Sequence, residues 1–503
     1  MPLLALFLAT IVFLPLDDRP VTAQLPVMLG RIAGVAVDAP PPRLLGRGLD
    51  PGRSDALIAW LNREAAHARS DAFVISSDML AYGGLIASRV PGVSYADAYS
   101  RLREIEHLRA RRPKAWIGTF GTIMRLAPTG VPAGTPFFAA YPAWTYLQEY
   151  AGLHDPPLPS EAARAQQLAQ AIGPATLEAY LATRARDVAV DRLLLKMTAA
   201  GTIDRLVLGQ DDAGPAGLHV REVALLQAEL SAQNLTERAS IEPGADELGM
   251  ALVARAIARS AAWQPRVAVR YSTPDGASYQ DPIEYAPVST AIDALIRLCG
   301  GVRDDGAPEI VLYVRIPKTS ADRDDAFAAA MAGDAAAGRS VALADLSYLT
   351  SYGDQAAFAR SILSSGLAAR LDAYASWNTN ANTVGCALAE AIAAGAGRRM
   401  RTYDALAHRT FTFVRFLDDY AFHDVVRPDL NATLGAQGIT DHTLLAPEVA
   451  ASLERRESAL LWEYAGAILP QLDPGYHIAA MTIDLPWNRT FEAGIEAGLA
   501  PNI

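Results

Sequence analysis

The chain is short of several things, and each shortage removes a class of function. Two cysteines in 503 residues, Cys299 and Cys386, have no CxxC spacing, so neither a zinc site nor a disulfide framework is indicated. Eight histidines are scattered without metal-ligand spacing. Positive charge is scarce: 44 Lys and Arg face 55 Asp and Glu, for a formal charge of -11 and a pI near 5.3. Phosphate backbones require clustered cations of net positive sign, so no nucleic-acid partner is expected. The one basic run, Arg109, Arg111, Arg112 and Lys114, ends a predicted helix, where cations suit the helix dipole. No GxGxxG follows a strand, and there is no GxxxxGK[ST], HExxH or GxSxG, which removes dinucleotide, P-loop, zincin and serine-hydrolase chemistry. No cofactor and no metal are expected.

Long apolar runs are also missing. Beyond the start, nothing approaches the roughly 18 uninterrupted apolar residues of a membrane span, so no span is expected in the body of the chain. The start itself, Met1 to Thr10, is apolar but has no Lys or Arg before it and no cleavage signal after it. It reads as the vestige of a signal peptide whose origin lies upstream, which implies export to the periplasm; without one the compartment is the cytoplasm.

What is present is a globular composition, 51% hydrophobic and 20% charged, at a length that allows two or three domains. Short apolar runs alternate with helical patterns from Thr10 onward, and that βα alternation implies a parallel sheet. Strands are predicted at 10–16, 35–39, 71–76, 115–120, 206–210 and 239–242, then at 267–271, 310–316, 341–346 and 371–376. The expected architecture is α/β: a barrel-like βα-repeat domain over 1–262, a smaller parallel α/β domain over 263–395, and a mainly helical region over 396–503.

The strand ends carry the chemistry. After the first run stand Asp17, Asp18, Arg19 and Pro20, a grouping that serves as a helix cap with a salt bridge or as a ligand clamp. After the third stand Ser77, Asp78 and Tyr82 beside Gly83 and Gly84. Asp204 to Gly217 is the centre of the pattern, because an apolar strand there breaks at Gln210, Asp211 and Asp212 into a Gly/Pro loop. Asp246 and Glu247 follow the sixth strand at a helix start, where acids are favoured in any protein. In the second half Trp377, Asn378 and Asn382 cluster just before a helix, whose free N–H groups suit an anion or hydroxyl. Asp419 and His423, four apart, are expected to share a helix face and form an ion pair. Between Ala127 and Pro159 many aromatic residues, including Phe137, Trp144 and Tyr150, read as a packed excursion or a crevice wall.

Six motifs in fixed order carry a resemblance: LPLDDRPV (14–21), ISSDMLAYGG (75–84), QDD-x-GPxG (210–217), PGADELGM (243–250), WNTNANTVG (377–385) and PWNRTFE (486–492). On these the chain resembles, over nearly its whole length, a bacterial family known only as domain of unknown function 4127, whose members look exported. The resemblance implies no activity. A local resemblance, strand followed by Asp-Asp, is to hexosaminidases that use substrate assistance; it implies that Asp211 polarises an acetamido group and Asp212 protonates the leaving oxygen.

Paired carboxylates suit glycosidic cleavage because one must stay protonated while a second, ionised group stabilises the cationic sugar. The expected function is therefore a carbohydrate-active hydrolase, a glycosidase on amino-sugar or cell-envelope glycans, with Asp211 and Asp212 catalytic and the other strand-end residues binding substrate. The same carboxylates also fit a metal-dependent hydrolase, and the polar lining fits a non-catalytic glycan-binding protein.

Overall fold

The computed structural model describes residues 10–67, 70–126, 154, 156–214, 217–281, 284, 286–347, 352–439 and 444–502. The start read as a signal-peptide remnant and the aromatic residues 137–150 lie outside these residues. Between Ala262 and Trp263 the chain divides into two compact units.

In the first unit six strands, β1 (Thr10–Leu14), β2 (Ala36–Asp38), β3 (Ser70–Ser76), β4 (Trp116–Ile123), β5 (Arg205–Gln210) and β6 (Ala239–Pro243), form one parallel sheet in the order β2-β1-β3-β4-β5-β6. Helices cover both faces, so the central strands are continuous apolar runs rather than alternating ones: Ile11, Val12, Phe13 and Leu14 are all fully buried, as are Phe73, Val74 and Ile75. The parallel α/β class is as expected, but the barrel-like closure is not. A barrel pairs strands in sequence, whereas β3 pairs with β1 instead of β2, which leaves β2 and β6 as the two ends of the sheet among the described residues.

After β3, residues 77–84 begin with a short helix, Ser77–Tyr82, capped by Ser76 Oγ accepting from Met79 N at 3.1 Å and ended by Gly83 at φ 96°. Residues 95–111 and 159–199 each form two helices rather than one, broken at Arg103 and at Gly173, where φ of 93° favours glycine.

The second unit repeats the same winding with fewer strands. Its strands β7 (Arg266–Tyr271), β8 (Val302–Arg303), β9 (Ile310–Arg315), β10 (Ser340–Asp345) and β11 (Ala373–Ala375) are parallel in the order β11-β10-β9-β7-β8. Again the second strand lies on one side of the first and the third on the other. The helix Asn380–Met400 runs through position 395, and residues 263–503 belong to one unit. Helices Ala405–Arg415, Arg427–Gly435 and Pro447–Leu472, with an eleven-residue π-helix at Phe416–Val426, make up most of the rest. The chain then closes with an antiparallel hairpin, β12 (Tyr476–Asp484) and β13 (Gly494–Pro501), inside the region expected to be mainly helical. Most side chains of β12 are at least partly exposed, so no apolar run marks it in the sequence. No helix among the described residues is long and apolar enough to cross a membrane.

Candidate functional site

Because all six strands of the first sheet are parallel, their C-terminal ends share one edge. The chain reverses direction between β1 and β3, and in open α/β sheets the crevice at such a reversal is where ligands bind. Asp17, Arg19, Asp78, Gln210, Asp211, Asp212, Asp246 and Glu247 all leave the sheet at this edge.

Arg19 spans this edge from β1 to β6. Its guanidinium donates to Asp17 through Nε (3.0 Å to each oxygen) and Nη2 (2.8 Å), and to Asp246 through Nη1 (3.0 Å) and Nη2 (2.5 Å). Asp17 Oδ1 also accepts from the Arg19 amide at 3.1 Å and from Thr22 Oγ1 at 2.6 Å. All three charged side chains are buried. The clamp thus grips its own carboxylates and fastens the end of β1 to the end of β6. Asp18 is half-buried, with its amide donating to Gly46 O at 3.1 Å.

A second pair lies beside it. Asp211 is buried and ion-paired with Arg89, a residue that composition gave no reason to single out. Its Oδ1 accepts from the backbone amide of Asp212 at 3.0 Å, while Gln210 Nε2 donates to the Asp211 carbonyl at 2.8 Å. Asp212 is different: its side chain is exposed. Burial of its surroundings and the adjacent Asp211 charge raise its pKa from 3.8 to about 6, with Asp246 adding to the rise and Arg125 and Arg89 opposing it.

Deeper in, Asp78 accepts from Thr122 Oγ1 at 3.0 Å. Burial, and then the negative charge of Asp187, raise its pKa to about 7. Asp187, paired with Arg186 at 2.8 Å, is itself raised to about 6 by burial, and burial pushes Asp191 well above the carboxylate range. The sequence reading passed over Asp187 and Asp191, although a signal existed. Both sit on the buried stripe of the helix Pro174–Ala199 with Arg184, Leu194 and Thr198, so three charges occupy helical core positions. Tyr82 is buried under the Arg186 guanidinium, 4.4 Å from its ring centre. Arg89 acts electrostatically on Asp78 and Asp212 as well as pairing with Asp211, which makes one connected network of these acids.

Close backbone approach holds the edge together. Ser77 Oγ donates to Phe120 O at 3.0 Å, linking β3 to β4. A Cβ on Gly209 would meet Gly244 O at 2.2 Å, and one on Gly244, whose φ is 97°, would meet Glu247 Oε1 at 2.0 Å. Among the described residues no group of three or more His, Cys, Asp or Glu side chains is arranged to hold a metal ion. An open cleft of about 610 Å³ in the same unit, lined by Leu49, Ser54, Tyr82, Val90 and Arg101, shares only Tyr82 with the acid network.

Trp377, Asn378 and Asn382 belong to the second unit, at the C-terminal edge of its own sheet. Thr379 caps the helix Asn380–Met400, and Thr383 Oγ1 accepts from Trp377 N (3.1 Å) and donates to Trp377 O (2.8 Å). Asn378 sits at φ 57°. Asp419 accepts from Ser376 N at 2.7 Å and pairs with Arg415; burial raises its pKa to about 7. The segment is a π-helix with i to i+5 geometry, so His423 faces Asp418, five residues back, at 3.5 Å. Burial holds the His423 pKa well below its usual value.

Comparison with known proteins gives a family without an activity. The family described as protein of unknown function (DUF4127) matches residues 11–496, and the chain belongs to it. No curated protein matches. Among solved structures, the complete multifunctional pyruvate carboxylase of Rhizobium etli is 11% identical at a TM-score of 0.19, over 91% of this chain and 36% of that one. The carboxyl transferase domain of the same enzyme with pyruvate is also 11% identical at 0.19, over 92% and 61%. The chain spans less than two thirds of either, and similarity at that level supports no inference about fold or function.

Proposed function

We propose that the protein is a carbohydrate-active hydrolase, a glycosidase acting on amino-sugar or cell-envelope glycans, with Asp212 as general acid and Asp211 as its ionised partner. The observation that carries this reading is the asymmetry of two adjacent carboxylates. Asp211 is buried, ion-paired with Arg89 and bonded to the amide of Asp212, whereas Asp212 faces solvent with its pKa raised to about 6. The ion-paired group is placed to stabilise a cationic sugar, and the other holds a proton up to about pH 6 to give to the departing oxygen. Asp17, Arg19 and Asp246 brace the edge, while Asp78, raised to about 7, is a second protonatable group behind it.

Aryl-glycoside hydrolysis tests the assignment. Asp212→Asn is expected to lower turnover by roughly 10²- to 10⁴-fold with an unchanged melting temperature, since the side chain is exposed. Wild-type turnover in that variant would remove Asp212 from the role. In the wild type kcat should decline on its alkaline side as pH rises through about 6. Loss of activity on chelation would favour a metal-dependent hydrolase instead, and glycan-induced stabilisation without product would favour a binding protein.

A further inference from the structure

The WNTNANTVG motif is not absorbed by the acid network of the first unit, and its surroundings differ in kind. Trp377, Asn380 and Asn382 are each at least 96% buried. Yet Trp377 Nε1, Asn380 Nδ2 and Asn382 Oδ1 make no hydrogen bond to any described residue. Buried polar groups are nearly always satisfied, so a cluster of such atoms on one turn calls for a further partner. The turn opens the helix Asn380–Met400, 21 residues long, at the C-terminal edge of the second sheet where the ligand crevice of an open α/β sheet lies.

The chemistry of the partner follows from what is already satisfied. A helix start would ordinarily draw an anion, but here Glu284 already supplies one, its Oε1 accepting from Ala381 N at 3.0 Å. Asp345 and Asp419 lie close by, bonded to Ser376 through a backbone carbonyl and a carboxylate respectively. A second anion would meet repulsion. A bare cation could not accept from the indole N–H, which is a donor only. The two asparagine amides each offer one donating and one accepting end whichever way they are turned. A partner that both donates and accepts without charge is a hydroxyl or an amide. The Trp377 ring, stacked at 25° and 6.2 Å on the uncharged His423, adds a flat apolar wall.

We infer that the start of the helix Asn380–Met400 is a binding site for a small neutral molecule carrying hydroxyl or amide groups, held by Trp377, Asn380 and Asn382. The site stands on the second unit alone and does not depend on the hydrolase reading of the first.

Thermal melting of the full chain with glucose, N-acetylglucosamine and myo-inositol, and with sulfate as the anionic comparison, tests it. At least one of the three neutral compounds should raise Tm saturably, with half-saturation moved at least tenfold higher in Trp377→Phe, which keeps a ring and loses the N–H. Asn382→Ala should do the same and carries the test if the Trp377 variant does not fold; Asp212→Asn should leave the shift unchanged. The inference is overturned if none of the three gives a saturable shift, which would leave ordered water as the partner. It is equally overturned if both variants respond like wild type, if sulfate alone gives the shift, or if Asp212→Asn abolishes it while Trp377→Phe does not.

Discussion

The two sheets are wound alike and finished differently. In each, the second and third strands flank the first, so each offers a crevice at the same topological point. The first unit lines its edge with charges paired across long stretches of chain: Arg19 with Asp246, 227 positions apart, and Arg89 with Asp211, 122 apart. The second adds amides, hydroxyls and an indole to its edge, and its buried charges pair over shorter stretches: Arg315 with Asp345, 30 apart, and Arg415 with carboxylates three and four positions away. One winding therefore supports two unlike surfaces, and the residues at the edge, not the order of strands, decide what each can bind.

The largest effect expected from this contrast is on the long-range clamp. Arg19→Ala would strand two buried carboxylates at once, and breaking a buried pair from one side costs about 3–5 kcal/mol. Arg415→Ala should cost less, roughly 2 kcal/mol, because its partners lie three and four positions away on the same helical stretch and no link between distant segments is lost. Urea denaturation of both variants makes the comparison. Equal losses would mean that sequence distance between partners is irrelevant to how each edge is held.

Acidity separates the units next. Asp78 has a folded pKa of about 7, raised from near 3.8. Between those values the folded chain holds a proton that the unfolded chain has released. The associated stability is complete below the unfolded value and is lost as pH rises through 7. At roughly 1.4 kcal/mol per pKa unit, the first unit should lose about 2–4 kcal/mol between pH 5 and pH 8 from this group. Asp78→Asn should abolish the loss and be the more stable protein at pH 8. In the second unit Asp419 works in the same direction, whereas the depressed His423 works against it, since its contribution is present above its unfolded pKa and lost as pH falls. Hydrogen exchange read separately on β3 and β11 should show the steeper pH dependence in β3. A steeper slope in β11 would reverse the assignment.

These same contrasts decide what could be read from the chain before its structure. Strands buried on both faces announce themselves as unbroken apolar runs, so β1, β3, β5, β9 and β10 were legible to within a residue or two. Acid at their C-terminal ends was legible too, because Asp211, Asp212 and Asp78 stand where a run breaks. Strand order was not, since nothing local to β3 states that it will pair with β1 in preference to β2. Arg89, Asp187 and Asp191 were hidden for a related reason: they enter the network from helices, and only their partners reveal them. The π-helix escaped because its residues are ordinary for an α-helix, and the approach of His423 to Asp418, five residues back, follows its wider turn.

Close packing in the first edge gives a smaller, sharper test. Gly209→Ala places a methyl 2.2 Å from Gly244 O and 2.4 Å from Leu248, so the β6 loop that carries Asp246 must move. Overpacking of this kind costs about 1–3 kcal/mol. Because the loop reaches Arg19, the loss should be less than additive with Arg19→Ala in a double-mutant cycle. Strict additivity would show that the clamp and the backbone contact act independently.

The smallest effect should come from the opposite, N-terminal edge of the second sheet, where charge is also paired but wet. Arg398 donates to Asp372 through Nη1 at 2.7 Å and Nη2 at 2.5 Å, a bidentate pair with geometry as good as the Arg19 clamp. Its side chain, however, is 42% exposed. Water reaches the guanidinium and screens the attraction, and Asp372, 17% exposed, keeps some access to it when Arg398 is removed, so Arg398→Ala should cost about 1 kcal/mol, with the difference shrinking further in 1 M salt. Arg19→Ala should keep most of its penalty at that salt, because its carboxylates are buried. If the two variants lose stability equally, or if salt erases both losses, then burial is not what distinguishes the acid edge of the first sheet from an ordinary surface, and the case for a preorganised site there fails with it.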